Sequence, residues 1–195
     1  MTPTESAAAK PQLITPTFVL AWVANFCQFL VFYLSVTTMA LYAVESFGAS
    51  DTVGGFASSA FVLGATCMRV FSGWIVDRVG HKKAALTSLA FVTVVAVAYF
   101  FAHNVAVLII VRMVHGAGYA LTSTALMAVA QSVIPHERRA EGTGYFALGT
   151  TLATAFGPAI GLLLANNIGY TALFAVALGA NIVSLILALV LRYPA

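Results

Sequence analysis

The chain has 195 residues, of which 61% are hydrophobic and only 8% charged, with a net charge of +3. A soluble domain carries about 25% charged residues, so the solvent of this chain is mostly lipid. Basic patches on a polar surface are missing, which argues against a nucleic-acid partner. The two cysteines, Cys27 and Cys67, sit in apolar runs and suggest neither a disulfide framework nor a metal site.

Residues 1–16 are polar and read as a flexible cytoplasmic tail, ahead of a six-helix domain over 17–195. The following apolar run is too long for the core of a signal peptide. Crossing about 30 Å of hydrocarbon takes roughly 20 apolar residues in a helix. Six segments meet this, at about 17–44, 52–76, 84–102, 105–134, 142–165 and 170–191. The runs lack the alternation of a membrane barrel, so the predicted class is an all-α membrane protein.

The first span carries Asn25 and Gln28, which share a helix face. They fit either interhelical hydrogen bonding or the wall of a polar cavity. The second span contains Arg69, about eight residues from its end and so roughly 12 Å deep. A central Arg costs a few kcal/mol in lipid, so it faces a bundle interior or water, or snorkels to the interface. The second span ends in "SGWIVDRVGHKK", with Gly73, Asp77, Arg78, Gly80, His81 and Lys82. Arg69, Gly73 and Asp77 recur at every fourth residue on one face. The fourth span holds Arg112 and, one turn on, His115. Neutral imidazole titrates near 6.5, which suits a proton carrier, although a hydrogen-bonded core histidine is the commoner arrangement. The fifth contains "FGPAIG", with Gly157, Pro158 and Gly161. A proline inside a span removes one backbone hydrogen bond and predicts a bend.

The six acidic residues, Glu5, Glu45, Asp51, Asp77, Glu137 and Glu141, all fall at span ends or in connections. No carboxylate is expected at mid-membrane. The connections after the first, third and fifth spans lack Lys and Arg, whereas Lys10, Arg78, Lys82, Lys83, Arg138, Arg139 and Arg192 belong to the other side. By the positive-inside rule both termini are cytoplasmic, in the inner membrane. Enzyme signatures are missing too: there is no Gly-x-Ser-x-Gly, no paired intramembrane carboxylates and no metal-spaced histidines. No cofactor or metal is expected.

Three stretches together resemble the major facilitator superfamily of secondary transporters. Gly73, Asp77, Arg78, Gly80 and Lys82 match its loop between the second and third helices, with His81 where Arg is usual. Arg112 through Gly118 resembles the fourth-helix motif whose Arg is tied to proton coupling. Gly157, Pro158 and Gly161 match the fifth-helix antiporter motif, with Ala153 and Leu162 in place of its outer glycines.

The resemblance implies half of a twelve-helix fold, built from two inverted three-helix repeats. It also implies proton-coupled efflux of small molecules by alternating access. Asn25, Gln28, Arg69, Arg112 and His115 would then form the substrate or proton pathway. Gly73, Asp77, Arg78, Gly80 and Lys82 would form a conformational latch, and Gly157, Pro158 and Gly161 the bend. A lone half would expose Arg112, Asn25 and Gln28 to lipid. The expected partners are therefore the bilayer, a small-molecule substrate, and a homodimer mate or complementary half. The alternatives are a non-transporting membrane half-protein or a truncated fragment.

Overall fold

A computed structural model describes residues 11–191. It contains six long helices: α1 (Pro16–Phe47), α2 (Asp51–Val79), α3 (His81–Ala98), α4 (Val105–Val133), α5 (Arg139–Asn167) and α6 (Tyr170–Val190). A 3-10 turn, Tyr99–Phe101, extends α3, and another, His136–Arg138, precedes α5. All six are long and apolar enough to cross a membrane. They match the expected spans to within about three residues, and no strand occurs among the described residues.

Local chemistry sets the helix ends. Pro16 occupies the first turn of α1, where the missing N–H costs nothing, and the Thr15 hydroxyl accepts from the Phe18 N–H at 3.2 Å. Asn104 caps α4 in the same way, accepting from Val107 at 2.9 Å. The α2–α3 corner turns on Gly80 alone. Its φ of 91° and ψ of 144° lie in a region that is essentially glycine's.

Apolar burial cannot hold helices together in lipid, so close backbone approach and buried hydrogen bonds must do so. α2 lies along α4, and α1 along α5; α3 packs on α4, and α6 on α1. Exchanging α1 with α4, α2 with α5 and α3 with α6 maps each of these pairs onto another. Three spans per unit put the second unit upside down relative to the first, which is the inverted repeat. The exchange fails at one place. α1 packs well on α2, whereas α4 barely touches α5.

Glycines make the two main crossings. A Cβ on Gly64 would fall 1.9 Å from the Met113 carbonyl oxygen, and one on Gly116 would fall 1.9 Å from that of Phe61. At the equivalent α5–α1 crossing, a Cβ on Gly157 would meet the Tyr33 Cβ at 2.5 Å. One on Gly161 would meet the Leu34 carbonyl oxygen at 2.3 Å. Gly157 and Gly161 are therefore contact points. α5 continues through Pro158 as one helix.

One end of the bundle carries Arg78, Lys82, Lys83, Arg138 and Arg139. The other carries an aromatic cluster, with Tyr42 against Phe47, Tyr170 and Phe174 at centroid distances of 5.2, 4.8 and 5.1 Å. There the Tyr170 hydroxyl donates to the Glu45 carboxylate at 2.7 Å.

At the basic end, residues 11–15 correct the expectation of a loose tail. Leu13 is buried against Gly142 and Ile134. Arg138 Nη1 donates to the Pro11 carbonyl at 2.9 Å, and its other nitrogens clasp Glu141 at 2.7 and 2.8 Å. Hydrogen bonding to Glu141 pushes the Arg138 pKa upward. Residues 1–10 of the expected tail, and Arg192 beyond α6, lie outside the described residues.

Candidate functional site

Three groups of polar side chains lie within the membrane-spanning layer. The first is buried between α2, α3 and α4. Arg112, only 1% exposed, aims its guanidinium at α2. Its Nε donates to the Ala57 carbonyl at 3.4 Å and its Nη2 to that of Ser58 at 3.0 Å. Its Cζ lies 4.8 Å from the Phe61 ring centre, a cation–π contact. His115, one turn on and 3% exposed, has its Nδ1 3.1 Å from the Tyr99 hydroxyl. The ring of His115 also meets Phe61 edge-on at 5.4 Å. Ser58 donates in turn to the Val36 carbonyl, tying this group to α1.

The second group is a seam between α1 and α6. Gln28 donates to Asn181 Oδ1 at 3.0 Å, and Asn181 to the Ala177 carbonyl at 3.1 Å. Ser184 donates to the Ala24 carbonyl at 2.9 Å. Asn25 and Gln28 are 2% and 1% exposed.

Placement corrects the expectation that a lone half exposes Arg112, Asn25 and Gln28. All three are covered by this bundle's own helices. For Arg112 two carbonyls and an aromatic face, and for Gln28 a facing amide, do what a second half was expected to do. Gln28 makes the interhelical bond that was one of its two readings.

The third group is open. α1 stands between α2 and α5, and its uncovered strip carries Trp22, Phe26, Phe29 and Tyr33, all half-buried. Trp22 and Phe26 stack at 5.8 Å, and Trp22 Nε1 donates to the Tyr145 carbonyl at 3.0 Å. Phe29 and Phe32 both pack on Tyr119 of α4, at 5.6 and 5.8 Å. Beside them Arg69 is exposed, and its Nη2 reaches the Ser123 hydroxyl at 3.4 Å. Of the five residues expected in the pathway, Arg69 alone is on an open surface. A separate groove of about 510 Å³ between α2 and α4 is lined by Leu63, Cys67, Phe71 and Met113. It holds no polar side chain and suits acyl chains.

The α2–α3 corner is exposed throughout. Arg78 lies 5.3 Å over the Trp74 ring. Asp77 pairs with no cation among the described residues. Gly73 has open space where a side chain would stand. A carboxylate presented this way at a helix end is available to a neighbouring body. Among the described residues no group of three His, Cys, Asp or Glu gathers as a metal site.

Sequence reasoning missed Tyr99, Phe61, Tyr119, Ser123 and Asn181, each of which completes one of these groups from another helix. Within one span they read as ordinary apolar or packing residues. Only Asn181, a lone amide in the most apolar span, carried a signal.

A bundle of six apolar helices in inverted threes, with one open polar-aromatic strip, defines a half-unit of a multi-pass membrane carrier fold. The chain belongs to the Major Facilitator Superfamily, whose family model matches residues 21–195. It is 31% identical over 128 residues to the staphylopine export protein of Staphylococcus aureus, covering 65% of this chain and 32% of that protein. It is 29% identical over 161 residues to the multi-drug resistance efflux pump PmrA of Streptococcus pneumoniae, covering 80% and 39%. The crystal structure of the peptide transporter POT in complex with sulfate superposes with a TM-score of 0.81 at 15% identity. It covers 89% of this chain and 37% of the other. The chain thus spans about a third of the length of the relatives it matches.

Proposed function

We propose that this chain is one six-helix half of a proton-coupled secondary transporter that exports small molecules across the inner membrane by alternating access. The observation that carries the proposal is the open strip of α1, flanked by α2 and α5. It is aromatic and has an arginine at its edge, whereas Arg112, His115, Asn25, Gln28 and Asn181 are buried. Such a strip is half of a passage. The opposite wall comes from a second six-helix half, either a copy of this chain or a different one. The likeness to two exporters supports the direction of transport. The basic end is the cytoplasmic one, by the distribution of Lys and Arg.

In this reading Arg112, His115 and Tyr99 form the proton-linked element. A buried cation held by carbonyls changes its hold when α2 slides on α4, and the adjacent imidazole takes up a proton only once that movement brings it to water and away from the Arg112 charge. Asn25, beside Gln28 on α1, braces that helix against the bundle. Asp77 latches the cytoplasmic side closed by meeting the positive N-terminus of a helix in the opposite half. Gly73, Arg78, Gly80 and Lys82 shape the corner that presents it. Pro158 sets the line of α5 between its two glycine contacts.

Reconstitution into liposomes tests the reading. Mass measurement in lipid should give at least twice the 20.4 kDa of one chain. An imposed pH gradient should drive accumulation of a fluorescent solute, and collapsing the gradient should abolish it. Strictly monomeric protein that moves no solute under any gradient would overturn assembly from two copies, and the proposal itself falls if the chain is equally inert when purified from its native membrane with its partners attached.

A further inference from the structure

We infer that Arg69 is the anchor for the anionic group of an amphipathic, aromatic substrate; this rests on the transport reading and names its substrate class. The charge inventory of the membrane layer leaves little choice. Among the described residues the carboxylates, Glu45, Asp51, Asp77, Glu137 and Glu141, belong to helix ends and connections, so the layer there holds two permanent charges, Arg69 and Arg112, both positive. Arg112 is sealed by two carbonyls and a ring. Arg69 is exposed, and among the described residues it meets only the Ser123 hydroxyl, at the long distance of 3.4 Å. A guanidinium offers five N–H donors in a planar fork that fits a carboxylate or sulfonate. At about 12 Å from the interface it is costly unless water or an anion attends it.

The surroundings supply the rest of the ligand's description. Tyr119 lies one turn before Ser123 on α4, and it carries Phe29 edge-on and Phe32 face-on. From Phe29 the open strip continues through the Phe26–Trp22 stack toward the basic end. A charged head at Arg69 thus meets a rail of ring faces one helix away, suited to a planar apolar body. A cationic aromatic would find the rail but no carboxylate, and it would be repelled at its head. A lipid headgroup phosphate offers the same anion, so the test must separate the two.

The test uses the chain in nanodiscs with three matched fluorophores: dansylglycine (anionic), dansylamide (neutral) and dansylcadaverine (cationic). The Trp74→Phe variant leaves Trp22, on the strip itself, as the energy-transfer donor. Dansylglycine should bind about tenfold or more tightly than dansylcadaverine, the scale of one charge-assisted contact. Arg69→Gln should erase that preference while dansylamide binding persists, which also shows that the variant is folded. Arg69→Lys should keep part of it. Equal binding of the two charged probes, or dansylglycine binding that ignores Arg69→Gln, overturns the inference. The Arg69-dependent ratio should be the same in phosphatidylcholine and phosphatidylglycerol discs. A ratio that vanishes in phosphatidylglycerol makes the anion a lipid headgroup and overturns the inference as well. Vesicle transport of dansylcadaverine but not dansylglycine sinks this inference and leaves the transporter standing. Selective binding of dansylglycine without gradient-driven movement does the reverse.

Discussion

Arg112 is a full positive charge with almost no contact with solvent, and its neighbours are neutral. It persists because two α2 carbonyls and the Phe61 ring replace water, and because its long stem fills space between α2 and α4. Arg112→Ala removes the hydrogen bonds and leaves a cavity, so it should cost about 2–4 kcal/mol. Arg112→Met keeps the volume and should cost less. Thermal unfolding in detergent measures both, and an Ala variant as stable as the parent would show that Arg112 does not brace this crossing. The sequence made Arg112 and His115 conspicuous, since a charge inside an apolar run is a local anomaly. It could not reveal what holds the charge. Carbonyl acceptors belong to every residue and leave no trace in residue type, and Tyr99 comes from a different helix. This is also why burial of Arg112, Asn25 and Gln28 was unexpected.

Between helices, Gly64 and Gly116 let α2 and α4 interlock reciprocally, each glycine under the other helix's carbonyl. A methyl at 1.9 Å from an oxygen forces the helices apart. Gly64→Ala and Gly116→Ala should each cost at least about 1–3 kcal/mol, the usual penalty of overpacking. Gly179→Ala has open space in α6 and should be neutral or slightly stabilising. Heat-induced aggregation of the three variants, run side by side, decides the point, and similar behaviour of all three would refute the steric account. The helices themselves were legible because length and apolarity are properties of one segment. Gly116 falls within the Arg112–Gly118 stretch that carries the family resemblance, but Gly64 bears no such mark, since its role depends on the helix it faces. The contacts of Gly157 and Gly161, on either side of Pro158, were hidden for the same reason, since they depend on α1.

At the scale of the molecule, the bundle covers Arg112, His115, Asn25 and Gln28 and leaves the α1 strip, Arg69 and the Asp77 corner open, which are the surfaces the second half proposed above would complete. If Asp77 closes against a helix end of that body, Asp77→Asn should cut transport by about tenfold or more, the scale of one charge-assisted contact. Insertion and melting should be unchanged. Gradient-driven flux beside a melting curve checks this, and normal flux in the variant would remove the latch.

The tie between Arg138, Pro11 and Glu141 bears on how motion is watched. It fastens the entry to α1 onto the start of α5, so the two ends of that glycine-zipped pair are held together twice. Spin labels at the exposed Gln12 and His136 should therefore keep a constant separation through the cycle. Such a pair serves as a fixed ruler, against which any change measured to a label elsewhere belongs to movement between bodies and not within this one.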